Sequence, residues 1–182
     1  GAVVFYRPNR SGNISFGQTK LPGNRQRVNS SGGLQLTDRS INNAKFTIDR
    51  DFGFQVHNLN EYMDKFSYNF KTAVSTGEGR NATGQSDDGV AVTGKVELFP
   101  FGAFQKDGTY FEGDIMREQK PKLMLSGAFQ QNNHALRTQG QLGVDLFEPR
   151  TMKSVLLDAM LKYNGWAATA SYMSRTTNKN AV

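Results

Sequence analysis

Residues 17–54 read GQTKLPGNRQRVNSSGGLQLTDRSINNAKFTIDRDFGF, and the rest of the chain is organised around this stretch. It opens as a strand, runs through a long polar connection and re-enters a strand near Phe52. Connections of this length are uncommon in compact domains and are usually functional or disordered. Apolar anchors, which a disordered tail would lack, argue against disorder here. They are Leu34, Leu36, Ile41, Phe46 and Ile48. We therefore predict that residues 21–51 form a folded loop lying against the surrounding strands.

The connection is also basic, in keeping with the whole chain. It holds Lys20, Arg25, Arg27, Arg39, Lys45 and Arg50 against Asp38, Asp49 and Asp51. The 182 residues carry a formal net charge of +6. This charge favours an anionic partner, which could be a small anion, a lipid A surface or nucleic acid, although a basic protein without such a partner is an open alternative.

Composition excludes several classes of protein. The chain has no cysteine, which removes disulfides, thiol chemistry and cysteine metal sites. No apolar run approaches the roughly 20 residues of a membrane-spanning helix. The first ten residues lack the pattern of a signal peptide, so we expect either a cytoplasmic protein or a mature or partial chain. Low hydropathy does not exclude a membrane β-barrel, because its strands alternate apolar and polar residues.

Alternation with a period of two predicts about seven or eight strands in one all-β domain. The clearest segments are Asn13–Lys20, Phe52–His57, Phe66–Thr76, Val90–Phe99, Lys122–Gln131, Ser154–Tyr163 and Trp166–Arg175. In the central segments one face is apolar, whereas Lys71, Lys95, Lys122 and Lys162 fall on the other face. A lumen formed by the polar faces would be lined with positive charge, which selects anions.

The last two segments predict a hairpin closed by Asn164-Gly165, a dipeptide suited to a type I′ turn. Both strands are about 10 residues long, close to the length of a tilted membrane-spanning strand. Tyr163 and Trp166 flank the turn where an aromatic girdle would meet lipid headgroups. A long soluble hairpin with one face on a core is the alternative.

The connections predicted between strands alternate between short and long, which is typical of outer-membrane barrels. We expect an exposed loop at Gly77–Gly89 and long connections at Pro100–Lys120 and Asn132–Lys153. The connection Pro100–Lys120 fits this alternation poorly, because it falls on the side of the sheet where the short turns are expected.

Nothing in the sequence predicts an enzyme. His57 and His134 are isolated, and neither a phosphate-binding glycine loop nor a nucleophile elbow is present. The carboxylates Glu112, Asp114 and Glu118 lie in a mixed-charge run that is more typical of solvated or ion-paired connections. We therefore predict no catalytic residue, no cofactor and no metal site.

Two blocks resemble the family of phosphate-selective porins O and P. In the first block the matching residues are Gly17–Lys20, Pro22, Arg25, Arg27, Ser30-Ser31, Leu34-Gln35, Asp38-Arg39-Ser40, Arg50-Asp51 and Gly53. The second block begins at Gly94 and contains the strings FPFG and REQKPKL. Together the blocks cover about half of the chain. The chain departs from the family in its length and in its polar end, Thr176–Val182, which suggests a partial chain.

The resemblance implies a transmembrane antiparallel barrel of about 16 strands in the bacterial outer membrane. It implies a homotrimer in contact with lipid and lipopolysaccharide, with a loop folded into each lumen. Residues 21–51 are the candidate for this constricting loop. The predicted anion-binding residues are Lys20, Arg25, Arg27, Arg39 and Arg50, with Lys71 and Lys95 facing the lumen. From its neighbours Asp49 and Asp51, we also expect Arg50 to be ion-paired.

The leading hypothesis is thus a porin that lets small anions such as phosphate diffuse passively through a basic lumen, without nucleic acid as a partner. One alternative is a structural or accessory barrel whose lumen is plugged. The other is a soluble β-sandwich that binds an anionic glycan, which would have shorter strands and one buried face.

Overall fold

The computed structural model of the chain describes residues 2–80 and 89–178, and its fold is all-β. Within these residues, eight strands form one antiparallel sheet in which every strand pairs with its neighbours in sequence. The strands are β1 (Val3–Tyr6), β2 (Gly12–Lys20), β3 (Arg50–Asn60), β4 (Ser67–Ser75), β5 (Ala91–Phe99), β6 (Lys122–Arg137), β7 (Asp145–Tyr163) and β8 (Trp166–Thr177). The predicted all-β antiparallel class is confirmed.

Short helices lie only in the connections of the described chain. They are α1 (Arg25–Val28) and α2 (Ile41–Phe46), with 3₁₀ turns at Ser31–Gly33 and Gly108–Tyr110. Ser40 caps α2 by accepting a hydrogen bond from the Asn43 N–H, which satisfies one of the free amides at the helix start. No helix among the described residues is long and apolar enough to cross a membrane.

Several strand boundaries differ from the sequence prediction. β1 was not predicted, and β3 begins at Arg50, so the long connection ends at Asp49. The predicted connection Asn132–Lys153 is wrong, because β6 and β7 continue through most of it and leave only residues 138–144 between them. The side chains of this extension are largely polar, so the sequence lacks the apolar alternation that marks a half-buried strand. Backbone pairing to the neighbouring strand holds the extension in place.

The predicted hairpin between β7 and β8 is confirmed. Asn164 and Gly165 have φ angles of 47° and 90°, the positive values that a type I′ turn requires at both central positions. Tyr163 pairs directly with Trp166 across the turn. Both aromatic side chains are exposed.

The two faces of the sheet have inverted polarity. Along β4, the side chains of Ser67, Asn69 and Lys71 are buried, whereas Tyr68 and Phe70 between them are about half exposed. The exposed apolar face comprises Tyr68, Phe70, Val74, Val92, Val96, Leu98, Leu125, Phe129, Val155, Leu157, Leu161 and Tyr172. The buried polar face comprises Ser67, Asn69, Lys71, Thr93, Lys95, Glu97, Lys122, Ser126, Gln130, Ser154, Asp158 and Lys162. In a soluble antiparallel sheet the apolar face would be the buried one.

Two connections bury the polar face by folding over it. Leu21 and Ile48, at the ends of the β2–β3 connection (residues 21–49), pack with Ala73, Ala128 and Leu156 of the sheet. A second apolar cluster lies under the β5–β6 connection (residues 100–121), where Phe104 packs against Phe99, Met124 and Met160. These small clusters fix the connections at points where the polar face carries an apolar side chain.

The β2–β3 and β5–β6 connections meet over the middle of the polar face. They leave opposite ends of the sheet, because β2 and β5 run in opposite directions. The Glu112 N–H donates to the Gly33 carbonyl at 2.8 Å. A Cβ at Gly33 would lie 2.5 Å from the Tyr110 carbonyl oxygen, so this approach requires glycine.

The predicted exposed loop Gly77–Gly89 falls mostly on residues 81–88, which lie outside the described part of the chain, as do residues 179–182. The start of this loop is not exposed. Gly77 is buried, and the N–H groups of Gly77 and Gly79 donate to the Asp51 carboxylate at 2.7 and 3.2 Å. β1 and β8 form the edges of the sheet, and no pairing joins them within the described residues.

Candidate functional site

The lysines of the polar face hold the connections in place. Lys162 Nζ donates to the carbonyls of Gly108, Phe111 and Gly113 at 2.7, 2.9 and 2.8 Å. Lys122 Nζ donates to the carbonyls of Met63 and Phe101. Carbonyls stabilise an ammonium group without neutralising it, so these contacts leave positive charge beneath the connections.

Lys71 and Lys95 share one carboxylate, that of Glu97. Lys71 Nζ lies 2.8 Å from Glu97 Oε2, and Lys95 Nζ lies 3.0 Å from Oε1. Lys95 Nζ also donates to the Gly23 carbonyl at 3.0 Å, which ties the start of the β2–β3 connection to β5. Two ammonium groups against one carboxylate leave a surplus of one positive charge.

Arg25 is the most deeply buried of the five arginines and lysines predicted to bind anions. Its guanidinium donates to the carbonyls of Thr109 and Phe111 at 3.0 and 2.5 Å, and its backbone N–H donates to Asp158 at 3.2 Å. Burial lowers the pKa of Arg25 below its ordinary value, and the nearby carboxylates of Glu112 and Asp158 oppose this effect. Arg25 thus joins the two connections to each other and to β7.

The other four residues predicted to bind anions, Lys20, Arg27, Arg39 and Arg50, lie close together, with Lys20 in the middle of the group. Lys20 Nζ donates to the Val28 carbonyl at 2.9 Å, and Arg39 donates to the carbonyls of Gln26 and Asn29 at 2.8 and 3.2 Å. The positive charges of Arg27, Arg39 and Arg50 all repel the Lys20 ammonium group. Within the described part of the chain, Arg27 is the only one of these four whose side chain forms an ion pair, and its partner is Asp49. The structure therefore places four of the five residues in one cationic group at the end of β2.

The expected pairing of Arg50 with its neighbours is wrong. Asp49 is fully buried and forms ion pairs with Arg27 and, at 3.9 Å, with Arg80. Asp51 accepts hydrogen bonds from Thr76, Gly77 and Gly79. Among the described residues, Arg50 has no ion pair. The two aspartates face the protein interior, and adjacency in sequence does not bring the Arg50 side chain to them.

A small cavity lies between the cationic group and the polar face. It has a volume of about 110 Å³, and five of its lining residues carry polar side chains. They are Lys20, His57, Lys71, Lys95 and Tyr110. Lys71 and Lys95 are buried, whereas Tyr110 is 43% exposed and Lys20 is half-buried, so the cavity opens on the side of the connections. The Tyr110 hydroxyl is a neutral hydrogen-bond donor at physiological pH, and burial raises its pKa further.

Sequence reasoning missed Glu97, His57 and Tyr110 as members of this site. The alternation of β5 places Glu97 on the same face as Lys95, but only the strand register shows that it also reaches Lys71. His57 is isolated in the sequence from the other histidine, and Tyr110 lies in a connection that carries no periodic signal. Within residues 2–80 and 89–178, no group of three or more histidine, aspartate or glutamate side chains could hold a metal ion.

Comparisons of the chain with models of known protein families, with curated proteins and with solved structures found no match. The resemblance to the phosphate-selective porins therefore stays a prediction.

Proposed function

We propose that this chain forms part of the wall of a bacterial outer-membrane β-barrel that lets small anions such as phosphate diffuse passively. The observation that carries the proposal is the inverted polarity of the sheet. Its apolar face presents aromatic and branched aliphatic side chains from strands β4 to β8 to the surroundings, while the lysines lie on the covered face. Lipid is the environment in which such an exposed face is favourable, and barrel strands alternate in this way.

The position of the connections supports a narrowed lumen. Residues 21–49 and 100–121 both lie on the polar face, where they would reduce the cross-section of a barrel interior. The cationic group around Lys20 and the surplus charge at Lys71 and Lys95 would favour anions over cations at this constriction. Passage would then follow the concentration gradient without a covalent step.

The accessory barrel with a plugged lumen is the second candidate, and one observation favours it. The two connections meet through Glu112, which accepts from Gln26 Nε2 at 3.0 Å and from the Gln35 N–H at 2.9 Å. A continuous layer of this kind could close the interior instead of narrowing it. A soluble glycan-binding sandwich is disfavoured, because the exposed apolar face would be left in water.

Leu125 and Ser126 offer a matched pair of positions for testing the membrane proposal. They are adjacent in β6, with Leu125 exposed on the apolar face and Ser126 buried on the polar face. Because the chain contains no cysteine, Leu125→Cys and Ser126→Cys each create a single labelling site. A fluorophore at Leu125→Cys should be quenched by nitroxide lipids, and one at Ser126→Cys should not. Quenching of both labels by aqueous iodide alone would refute a lipid-facing surface.

Channel activity separates the two barrel candidates. In planar bilayers with a potassium chloride gradient, an anion-preferring porin gives stepwise conductance. The sign of its reversal potential shows that chloride is more permeant than potassium. Added phosphate should reduce the chloride current if both anions use one path. Absence of conductance from a correctly inserted protein would support the plugged barrel, and cation preference would contradict the anion proposal.

A further inference from the structure

Residues 30–38, with the sequence SSGGLQLTD, form a small lobe of the β2–β3 connection. The two ends of this lobe lie side by side, because the Arg39 guanidinium donates to the Asn29 carbonyl at 3.2 Å. Lys20 Nζ donates to the same carbonyl at 3.4 Å, and Arg39 Nε donates to the Gln26 carbonyl at 2.8 Å. Hydrogen bonds therefore hold both ends of a segment that is rich in serine and glycine.

Glu112 of the β5–β6 connection joins this lobe to the opposite side of the polar face. Its carboxylate accepts from the Gln35 N–H at 2.9 Å, and its own N–H donates to the Gly33 carbonyl at 2.8 Å. In the described part of the chain, no other hydrogen bond links residues 30–38 to a residue outside the β2–β3 connection. A single residue thus holds the lobe in its docked position.

The apolar anchors of the two connections lie away from this contact. Leu21 and Ile48 fix the ends of the β2–β3 connection, and Phe104 fixes the β5–β6 connection. Leu36, in the lobe itself, is 75% exposed and adds little apolar burial. Separating the lobe from Glu112 therefore breaks hydrogen bonds that water can replace, whereas moving the anchored ends would expose buried apolar surface.

A narrow cleft lies between this contact and the sheet. It is lined by Arg25, Asn29 and Tyr110 of the connections and by Lys71 and Glu97 of the sheet. Its volume is about 10 Å³, which is the lower limit for one water molecule. Arg25 Nε and Asn29 Nδ2 are buried without a hydrogen-bond partner among the described residues, which is costly. The docked arrangement therefore admits no ion here and leaves donors that entering water would satisfy.

We propose that residues 30–38 act as a lid over the polar face, hinged at Asn29 and Arg39 and latched by Glu112. In the closed state the two connections are joined through the latch. In the open state the lobe leaves Glu112 and water enters the cleft, while both apolar clusters stay packed. The lid rests on the proposed function only for its effect on ion passage, because the same movement is possible in an accessory barrel.

Hydrogen exchange at single amides, measured on the protein in detergent micelles, tests the lid without any need for conductance. The amides of Gln35 and Glu112 form the latch and should exchange through local opening. The Leu21 amide donates to the Asp49 carbonyl at an anchored end and should exchange much more slowly. Equal protection of all three amides would mean that the lobe separates only when the protein unfolds, which would overturn the inference.

Glu112→Gln should shift the lid toward its open state. The substitution removes one acceptor oxygen, so exchange of the Gln35 amide should become about fivefold faster while that of the Leu21 amide stays the same. Asp107→Asn, at an exposed carboxylate of the same connection, is the matched control and should change neither rate. Equal acceleration at Gln35 and Leu21 would indicate a general loss of stability and would count against a lid.

A chemical lock tests the effect of the lid on ion passage. A side chain at Gly32 would meet open space, and the next residue, Gly33, closely approaches Tyr110. Because the chain contains no cysteine, a short bismaleimide can join Gly32→Cys to Tyr110→Cys across the contact. This crosslink should lower the conductance at least fivefold. The control pair Gly32→Cys and Leu36→Cys places the same crosslink within the lid and should leave the conductance unchanged.

The two measurements separate failure of the lid from failure of the channel. Conductance that survives the crosslink between Gly32→Cys and Tyr110→Cys would refute a gating role and keep the porin. Absence of conductance in every variant would refute the porin, and fast exchange of the Gln35 amide would still support the lid. Slow exchange of that amide together with absence of conductance would refute both.

Discussion

The apolar and polar faces of this sheet are formed by the same strands, but their side chains lie in different environments. On the apolar face, side chains such as Phe70 and Leu157 are about half exposed. On the polar face, Lys95 and Lys162 are almost fully buried and bonded to the connections. The apolar face is thus specified by composition alone, whereas the polar face depends on particular hydrogen bonds. Substitutions on the two faces should therefore have different consequences.

The largest effect should come from placing a charge on the apolar face. In lipid vesicles, Leu157→Arg should lower the free energy of unfolding by about 2–4 kcal/mol, because a cation near the middle of the bilayer loses its hydration. Urea unfolding followed by tryptophan fluorescence measures this change. Leu36→Arg is the control, since Leu36 is exposed in the β2–β3 connection and should tolerate the charge within about 0.5 kcal/mol. Equal and small effects at both positions would indicate that the apolar face does not contact lipid.

Removal of a buried lysine from the polar face should come next. Lys162→Met deprives three carbonyls of the β5–β6 connection of their donor, and we expect a loss of about 2–3 kcal/mol. The exposed Lys106 lies in the same connection, so Lys106→Met should change stability by no more than about 0.5 kcal/mol. The same unfolding titration compares them. If Lys162→Met were as stable as the control, the lysine would not be anchoring the connection.

Adjacent positions on β4 give a sharper comparison of the faces. Ala73 is buried against Leu21 and Ile48, so Ala73→Leu should overpack this contact and cost about 1–3 kcal/mol. Val74 points to the exposed face, and Val74→Leu should be nearly neutral. Thermal unfolding of the two variants side by side measures the difference. A neutral Ala73→Leu would show that the connection can move away from the sheet without cost.

The smallest effect should come from the contact between the two connections. Glu112→Gln keeps one acceptor but weakens the bonds to Gln26 and the Gln35 N–H, at a cost of about 1 kcal/mol. Looser docking should expose the β2–β3 connection to trypsin at Arg39 and Lys45, so cleavage there should become faster. Asp107→Asn, at an exposed position of the β5–β6 connection, provides the control. Unchanged cleavage in Glu112→Gln would place the anchoring of the connection elsewhere.

Much of the sheet could be predicted from the sequence, because short sequence patterns specify most of its strands and its last turn. Period-two alternation assigns Lys71 and Lys95 to the polar face, and Asn164-Gly165 alone specifies the last turn. The polar ends of β6 and β7 escaped prediction, since backbone pairing holds them and their side chains carry no alternation. β1 is too short, at four residues, to give a periodic signal.

The candidate site was predicted only in part, because it depends on contacts between distant segments. The group around Lys20 was expected from its basic composition, but the direction of each side chain was not. Arg25 donates to the carbonyls of Thr109 and Phe111, and among the described residues Arg50 forms no ion pair with either neighbouring aspartate. The sharing of Glu97 by Lys71 and Lys95 follows from strand register, which a single sequence does not specify.

The hydrogen bond from the Arg25 N–H to Asp158 has a consequence for the order of folding. The two residues are 133 positions apart, whereas every strand of the sheet pairs with its neighbour in the chain. Closing a long loop costs more entropy than forming a hairpin. The strands can therefore assemble one after another before the β2–β3 connection contacts β7. During that interval the lysines of the polar face are hydrated and their carbonyl partners are free. We therefore expect the connections to dock after the strands have assembled, and this docking to remove water from the polar face.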